Sequence, residues 1–279
     1  MANAPTKPTT TTTAKKESSS KSSIFASLTI PICLVVAIII FMFILGDPSH
    51  YKGGDVVDGE PTDIYGTVHK GGFLVPLGMS YILMVIVFSI ERFIVIGKAS
   101  GTSNVDSFVR KIQGFLNSGN IDAASAECDK QKGSVANVIK SGLKKYREME
   151  QDATLDVDQK TLAIQKDIEE ATALEMPMLE QNLTIIATLV SIGTLTGLLG
   201  TVIGMIRAFA ELSGSATNTS KLSAAISEAL VNTAMGITTS TVSIVMYNLF
   251  TSKIDSLTYA IDETGFSIVQ TFAASHKNK

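Results

Sequence analysis

Polar and apolar positions along the chain sort into long uncharged runs separated by mixed stretches. Four runs of about 18 residues or more carry no charge: 24–45, 73–90, 182–206 and 229–250. Each is long enough to cross a bilayer as a helix, which takes about 20 apolar residues. The second span is expected over 73–96. It crosses Glu91-Arg92 near its end, a pair expected to anchor at headgroup level because long charged side chains snorkel there. The third and fourth are expected over 181–212 and 222–252, joined by a short turn at 213–221. Between the second and third spans the pattern changes. Val105, Phe108, Val109, Ile112 and Leu116 recur at helical spacing, as do Val135, Val138, Ile139 and Leu143. Gly114, Gly119, Gly133 and Gly142 interrupt these stretches, so residues 97–180 are expected to form several short helices rather than a sheet. From Leu162 to Glu180 the helical pattern returns and can run into the third span, with a kink expected at Pro177.

The flanks add sidedness. Residues 1–23 are rich in Thr, Ser and Lys and bury nothing, so a disordered tail is expected there. The run at 24–45 is too long for a signal-peptide core and is read as a retained anchor. Residues 46–72 form a loop rich in glycine and acids, and 253–279 a polar tail. Lys7, Lys15, Lys16 and Lys21 precede the first span, Lys98, Arg110 and Lys111 follow the second, and Lys253, Lys277 and Lys279 follow the fourth. The other two loops hold only Lys52, Lys70 and Lys221, with Arg207 at a helix end. The excess of basic residues therefore puts both termini and 97–180 in the cytoplasm, which four spans also require. The fold class expected is an all-α polytopic membrane protein, with four transmembrane helices and a helical cytoplasmic domain between the second and third.

Composition narrows the function. The chain is 45% hydrophobic and 18% charged, against about 25% charged in an ordinary soluble domain. A net charge of −3 without a basic stripe argues against a nucleic-acid partner; membrane lipids are the expected surroundings. Cys33 and Cys128 imply no disulfide framework, and no metal-ligand spacing occurs. His50, His69 and His276 lie outside the spans and away from any nucleophile, and no Gly-rich loop ends in Lys-Ser/Thr. Neither an enzyme nor a cofactor is expected, and any energy used must come from elsewhere.

One acid stands out. Glu228 lies against an uncharged run, where an acidic side chain costs about 2–3 kcal/mol to insert and marks an ion or proton path. A low dielectric disfavours its charged form and so favours proton uptake. One proton moving through about 150 mV releases roughly 3.5 kcal/mol, enough to do work. Ala224, Ala225, Asn232, Met235 and Thr239 share its helix face, and Asn232 is placed to hydrogen-bond it. In the preceding helix Gly193, Gly197, Gly200 and Gly204 fall on one stripe, which suits close helix packing. Thr201, Thr233, Thr238, Thr239, Ser240, Thr241 and Ser243 can line a wet path or bond back to their own helix. Arg207 and Glu211, four apart at the outer end, are expected to form a surface pair.

Gly197-Leu198-Leu199-Gly200-Thr201-Val202-Ile203-Gly204-Met205 with Ala208-Phe209, then Ile226-Ser227-Glu228-Ala229-Leu230, Thr233-Ala234-Met235-Gly236 and Tyr247-Asn248-Leu249-Phe250, together resemble the signature of the ExbB/TolQ/MotA proton-channel family, its ExbB branch above all. The likeness covers roughly 183–250. It implies a stator subunit of the bacterial inner membrane that forms a ring, a pentamer, around an ExbD-like single-pass subunit bearing an essential aspartate. Proton motive force would then do mechanical work on a TonB-like protein for outer-membrane nutrient import, a form of protein transport. The resemblance makes Glu228 the channel acid and sets Thr201 and Thr233 near the proton path; the helix face shared with Glu228 adds Asn232 to that path. A TolQ- or MotA-like stator for envelope maintenance or motility is the neighbouring alternative, and a non-conducting membrane scaffold the alternative of another class. Thr194 and Val242 stand where family members often carry proline, and the span at 24–45 has no counterpart in the three-span form.

Overall fold

The structure is a computed structural model that describes residues 16–57, 59–213 and 219–276. Nine α-helices occur among them: α1 (Lys16–Ile40), α2 (Ile64–His69), α3 (Val75–Ser100), α4 (Val105–Asn117), α5 (Ile121–Gln131), α6 (Gly133–Gln151), α7 (Val157–Glu180), α8 (Leu183–Ser213) and α9 (Thr219–His276). No strand occurs among the described residues beyond one isolated bridge, Tyr51 to Pro61. Four helical stretches are long and apolar enough to cross a membrane. The protein is an all-α polytopic membrane protein. Of the tail expected over 1–23, the first fifteen residues lie outside the described part, and Lys16 already begins α1. The turn expected at 213–221 lies mostly outside it too, since 214–218 are not described.

The membrane part is a layered stack. Helices α8 and α9 pair along their length as an antiparallel hairpin, α3 packs on both, and α1 packs on α3. Leu28, Phe43, Leu195, Leu198 and Leu230 are all more than half exposed, as expected where lipid replaces water as the solvent. With 58 residues, α9 is about 87 Å long at 1.5 Å per residue, far more than a bilayer's hydrocarbon core. Its second half therefore continues beyond the membrane and buries Ile254, Leu257, Ile261, Ile268 and Phe272 against α4, α6 and α7.

The helices beyond the membrane start where their caps allow. The Asn104 side chain accepts from the Asp106 and Ser107 N–H groups at the head of α4, and Asn120 accepts from Ala123 N–H at the head of α5. A capping box between Asp156 and Gln159 opens α7. Of the four glycines expected to interrupt these segments, only Gly119 and Gly133 do so, both at positive φ. Gly114 and Gly142 lie inside helices, and at Gly142 the missing Cβ leaves the space that the Ile168 side chain fills.

At the joint between α7 and α8 two expectations are corrected. The helix does not run unbroken into the third span: α7 passes through Pro177 to Glu180, and the break falls at Gln181 and Asn182, the latter at φ 63. Glu91-Arg92 does not snorkel. Arg92 is 1% exposed, and its Nη1 donates to the carbonyls of Met178 and Leu179, the last turn of α7. Glu91 accepts from Arg92 Nε at 2.6 Å and from Asn182 Nδ2 at 3.3 Å. A helix end leaves carbonyls without partners and carries partial negative charge. A cation buried against that end gains more than it would in the headgroup region.

The loop between α1 and α3 is folded tightly. Asp47 caps a short turn at Pro48–His50, and Asp63 caps α2. Tyr51 is buried, with its hydroxyl 2.6 Å from His69 Nδ1, and His69 stacks on Phe41. Burial and then the nearby Lys70 hold the His69 imidazole below its ordinary pKa, which keeps it neutral at pH 7. This fold brings the loop's last residues, Gly71 and Gly72, onto α9.

Candidate functional site

The α8–α9 contact is made largely of backbone. All four glycines of the α8 stripe are buried. A Cβ on Gly193 would stand 2.8 Å from Ser240 Oγ, one on Gly197 3.2 Å from Gly236 Cα, and one on Gly204 2.6 Å from Ala229 Cβ. At Gly200 it would overlap Asn232. Such distances require glycine: the helices sit closer than any side chain between them would permit. This ladder fixes the register, with 193 opposite 240, 197 opposite 236 and 204 opposite 229.

The register decides what meets Glu228. The side chain is 11% exposed, and Arg207 Nη1 lies 2.6 Å from each carboxylate oxygen. The expected Arg207–Glu211 pair gives way to this one. A surface pair four apart on a helix is worth only about 0.3–0.5 kcal/mol, whereas a buried acid left without a partner costs several. Gly72, at φ 77, lies so close that a Cβ there would overlap the Glu228 carboxylate. The Arg207 guanidinium also lies 5.9 Å from the centroid of the Phe73 ring. The acid is therefore enclosed by α8, by its own helix and by the end of the α1–α3 loop.

Asn232 is 6% exposed but does not bond the acid, as its place one turn on suggests it should. Its Nδ2 donates to Gly71 O at 2.8 Å. An unpaired loop carbonyl buried against α9 needs a donor, and Glu228 already has one in Arg207. Thr233, one position and about 100° further round the helix, faces α8 instead. Its hydroxyl donates to Ala229 O and Gly197 O. Thr201 bonds back to Leu198 O at 2.6 Å. It lies seven positions, close to two turns, beyond Thr194, whose hydroxyl is 2.8 Å from Ser240 Oγ. Within one chain, then, Glu228 and Asn232 face the loop, while Thr201 and Thr233 lie along the opposite flank of the glycine contact. Most of the other hydroxyls also bond their own helix: Thr238 to Ala234 O, Thr239 to Met235 O, Ser243 to Thr239 O.

The site is thus a guanidinium-paired carboxylate, walled by glycine and set in apolar helices. Residues 130–263 match the MotA/TolQ/ExbB proton channel family. Over that stretch the chain belongs to this family. The match takes in both hairpin helices up to residue 263, hence Arg207 and Glu228 with every glycine of the stripe. A Synechocystis sp. protein named as a biopolymer transport protein, ExbB-like 3, is 40% identical over 88 residues, which is 30% of this chain and 42% of that protein. The chain thus spans less than half the length of the curated relative it matches. The matched family is one of proton channels, and four helical stretches of this chain are long and apolar enough to cross a membrane.

Two contributors to the site escape a reading of local sequence: Arg207 and Gly72. The signal for Arg207 was present in the small residues. Pairing the glycine stripe with Gly236 and Ala229 in an antiparallel hairpin carries Arg207 to the turn that holds Glu228.

Proposed function

We propose that the chain is the proton-channel stator subunit of an ExbB-type inner-membrane motor, with Glu228 as the acid that takes and releases protons. The observation that carries this reading is a carboxylate 11% exposed at the head of an otherwise uncharged helical run, in the family's matched region. An acid is retained in such a place at a cost of a few kcal/mol, and proton transfer supplies a reason. The energy source is the proton motive force, and the output is mechanical work on a TonB-like protein that serves outer-membrane nutrient import.

The assembly proposed is a homopentameric ring around an ExbD-like single-pass subunit, with both termini and α4–α6 in the cytoplasm. The glycines Gly193, Gly197, Gly200 and Gly204 serve packing within each subunit. Thr201 and Thr233 point away from Glu228 in one chain, so they join its path only across neighbouring subunits. The exposed apolar side chains of α8 and α9, Leu195, Leu198, Leu230 and Ile237 among them, support burial against lipid or further copies.

The test is growth of a strain carrying Glu228→Gln under iron or haem limitation, with subunit level and partner co-purification followed alongside. Gln keeps the shape and removes the titrating proton. Lost growth with an intact complex is the expected result. Normal growth under limitation with a motility or envelope defect would move the chain to a sister branch of the family, and no defect at all would end the motor reading.

A further inference from the structure

The Arg207–Glu228 pair is lopsided in a way that suggests a role. The acid is 11% exposed and the guanidinium 48%. The cation therefore stands between the carboxylate and whatever fills the hairpin end. Only Nη1 is engaged, set 2.6 Å from both oxygens. Nε and Nη2 make no hydrogen bond among the described residues, so one nitrogen holds the acid while the rest of the fork faces outward. The side chain is also held lightly. Its other contact is the Phe73 ring at 5.9 Å, a weak hold where the ring is exposed. Glu228, by contrast, lies against the Gly72 backbone.

We propose that Arg207 is the positioning residue of the proton path: its guanidinium latches Glu228 through Nη1, and the acid becomes reachable only when that side chain swings off. The latch opens outward because the arginine is the exposed, loosely held partner. The biological meaning of this step rests on the proton-carrying reading of Glu228, but the latch itself can be tested apart from it.

A hydrophobic carbodiimide adds only to protonated, accessible carboxyl groups, so its rate of attachment to Glu228 reads how often the acid is unlatched and protonated. The full chain would be reconstituted in lipid vesicles, labelled at pH 7 and mapped by mass, for the wild type, Arg207→Gln and Arg207→Lys. Arg207→Gln is expected to label Glu228 several-fold faster, because the carboxyl loses the side chain that pairs with it. Because a single nitrogen makes both contacts, a lysine ammonium can replace it, although lysine fails where a two-nitrogen fork is used. Arg207→Lys is therefore expected to stay near the wild-type rate. A merely structural loss would speed labelling in both variants alike. Equal rates in wild type and Arg207→Gln, or equal acceleration in Gln and Lys, would overturn the latch. Should Arg207→Gln fail to accumulate, blocking the half-exposed guanidinium with butanedione in the folded wild type gives the same comparison. Modified Arg207 with unchanged labelling would also overturn it. Faster labelling in Arg207→Gln beside normal growth of Glu228→Gln would keep the latch and discard the motor.

Discussion

The membrane hairpin and the helical layer beyond it are built from opposite materials, although α9 runs through both. In the hairpin the contact is glycine against glycine and alanine, with Gly197 on Gly236 and Gly204 on Ala229, while large side chains such as Leu195, Leu198 and Leu230 face outward. In the layer the large side chains face inward: Phe108, Ile112, Leu116, Ile139 and Phe272 are each at most 1% exposed. Its surface is charged and stitched by pairs such as Lys111 with Glu127. The reason is the solvent. Water drives apolar bulk into a core, but lipid is as apolar as leucine, so within the membrane close backbone approach and satisfied polar groups must supply the attraction. A hairpin of this kind can carry a charged pair such as Arg207 and Glu228 because its seam is already dry and narrow.

If that contrast is right, the two regions should fail to different substitutions. Phe108→Ala has the largest expected effect, about 3–5 kcal/mol, by removing a ring from the layer's core. Cys128 reports on it. That thiol is 2% exposed, and burial, with Asp129 adding to it, pushes its pKa up to about 12. It is therefore protonated and slow to alkylate at pH 8. Opening of α4–α6 should speed alkylation of Cys128 in Phe108→Ala by about two to three orders of magnitude. Gly236→Ala comes next. Its Cβ would lie 2.6 Å from Gly193 O and 2.8 Å from Gly197 Cα, backbone that can yield only by separating the helices. Overpacking of this kind costs about 1–3 kcal/mol, and it should lower the thermal midpoint of the chain in detergent while Cys128 remains protected. Accelerated Cys128 alkylation in Gly236→Ala would show that the two regions melt as one unit.

The same contrast explains what could be read from the residues alone. Spans declare themselves by what they lack, and the run expected at 24–45 lies close to the apolar helix Phe25–Leu45. The glycine stripe is legible because four small residues on one face serve little else. Charged partners were harder. Glu91-Arg92 and Arg207–Glu211 both look like local pairs, yet Arg92 reaches carbonyls 86 and 87 positions away, and Arg207 an acid 21 positions away. A local pair is worth tenths of a kcal/mol and a buried charge several, so tertiary structure overrides sequence proximity where charge is concerned. Gly72 was invisible for another reason. Its value lies in the left-handed φ of 77 and in the absence of a Cβ beside Glu228. In a loop of many glycines nothing distinguishes it until the loop is folded.

The smallest expected effect gives the finest test of which surfaces are free. Gly114 lies inside α4 with nothing within 4 Å of where a Cβ would be, unlike any glycine of the hairpin stripe. On an exposed helix face, glycine costs about 0.5–1 kcal/mol relative to alanine through the disorder it allows the unfolded chain. Gly114→Ala should therefore stabilise the layer and slow Cys128 alkylation about two- to fivefold, if that reaction proceeds through local opening. The sign carries the information. Slower alkylation in the assembled protein means that this face of α4 meets water there as well. Slower alkylation in the isolated chain but faster in the assembly would mean that another copy or partner approaches α4 as closely as α9 approaches α8. The rule of small residues at close contacts would then extend beyond the membrane.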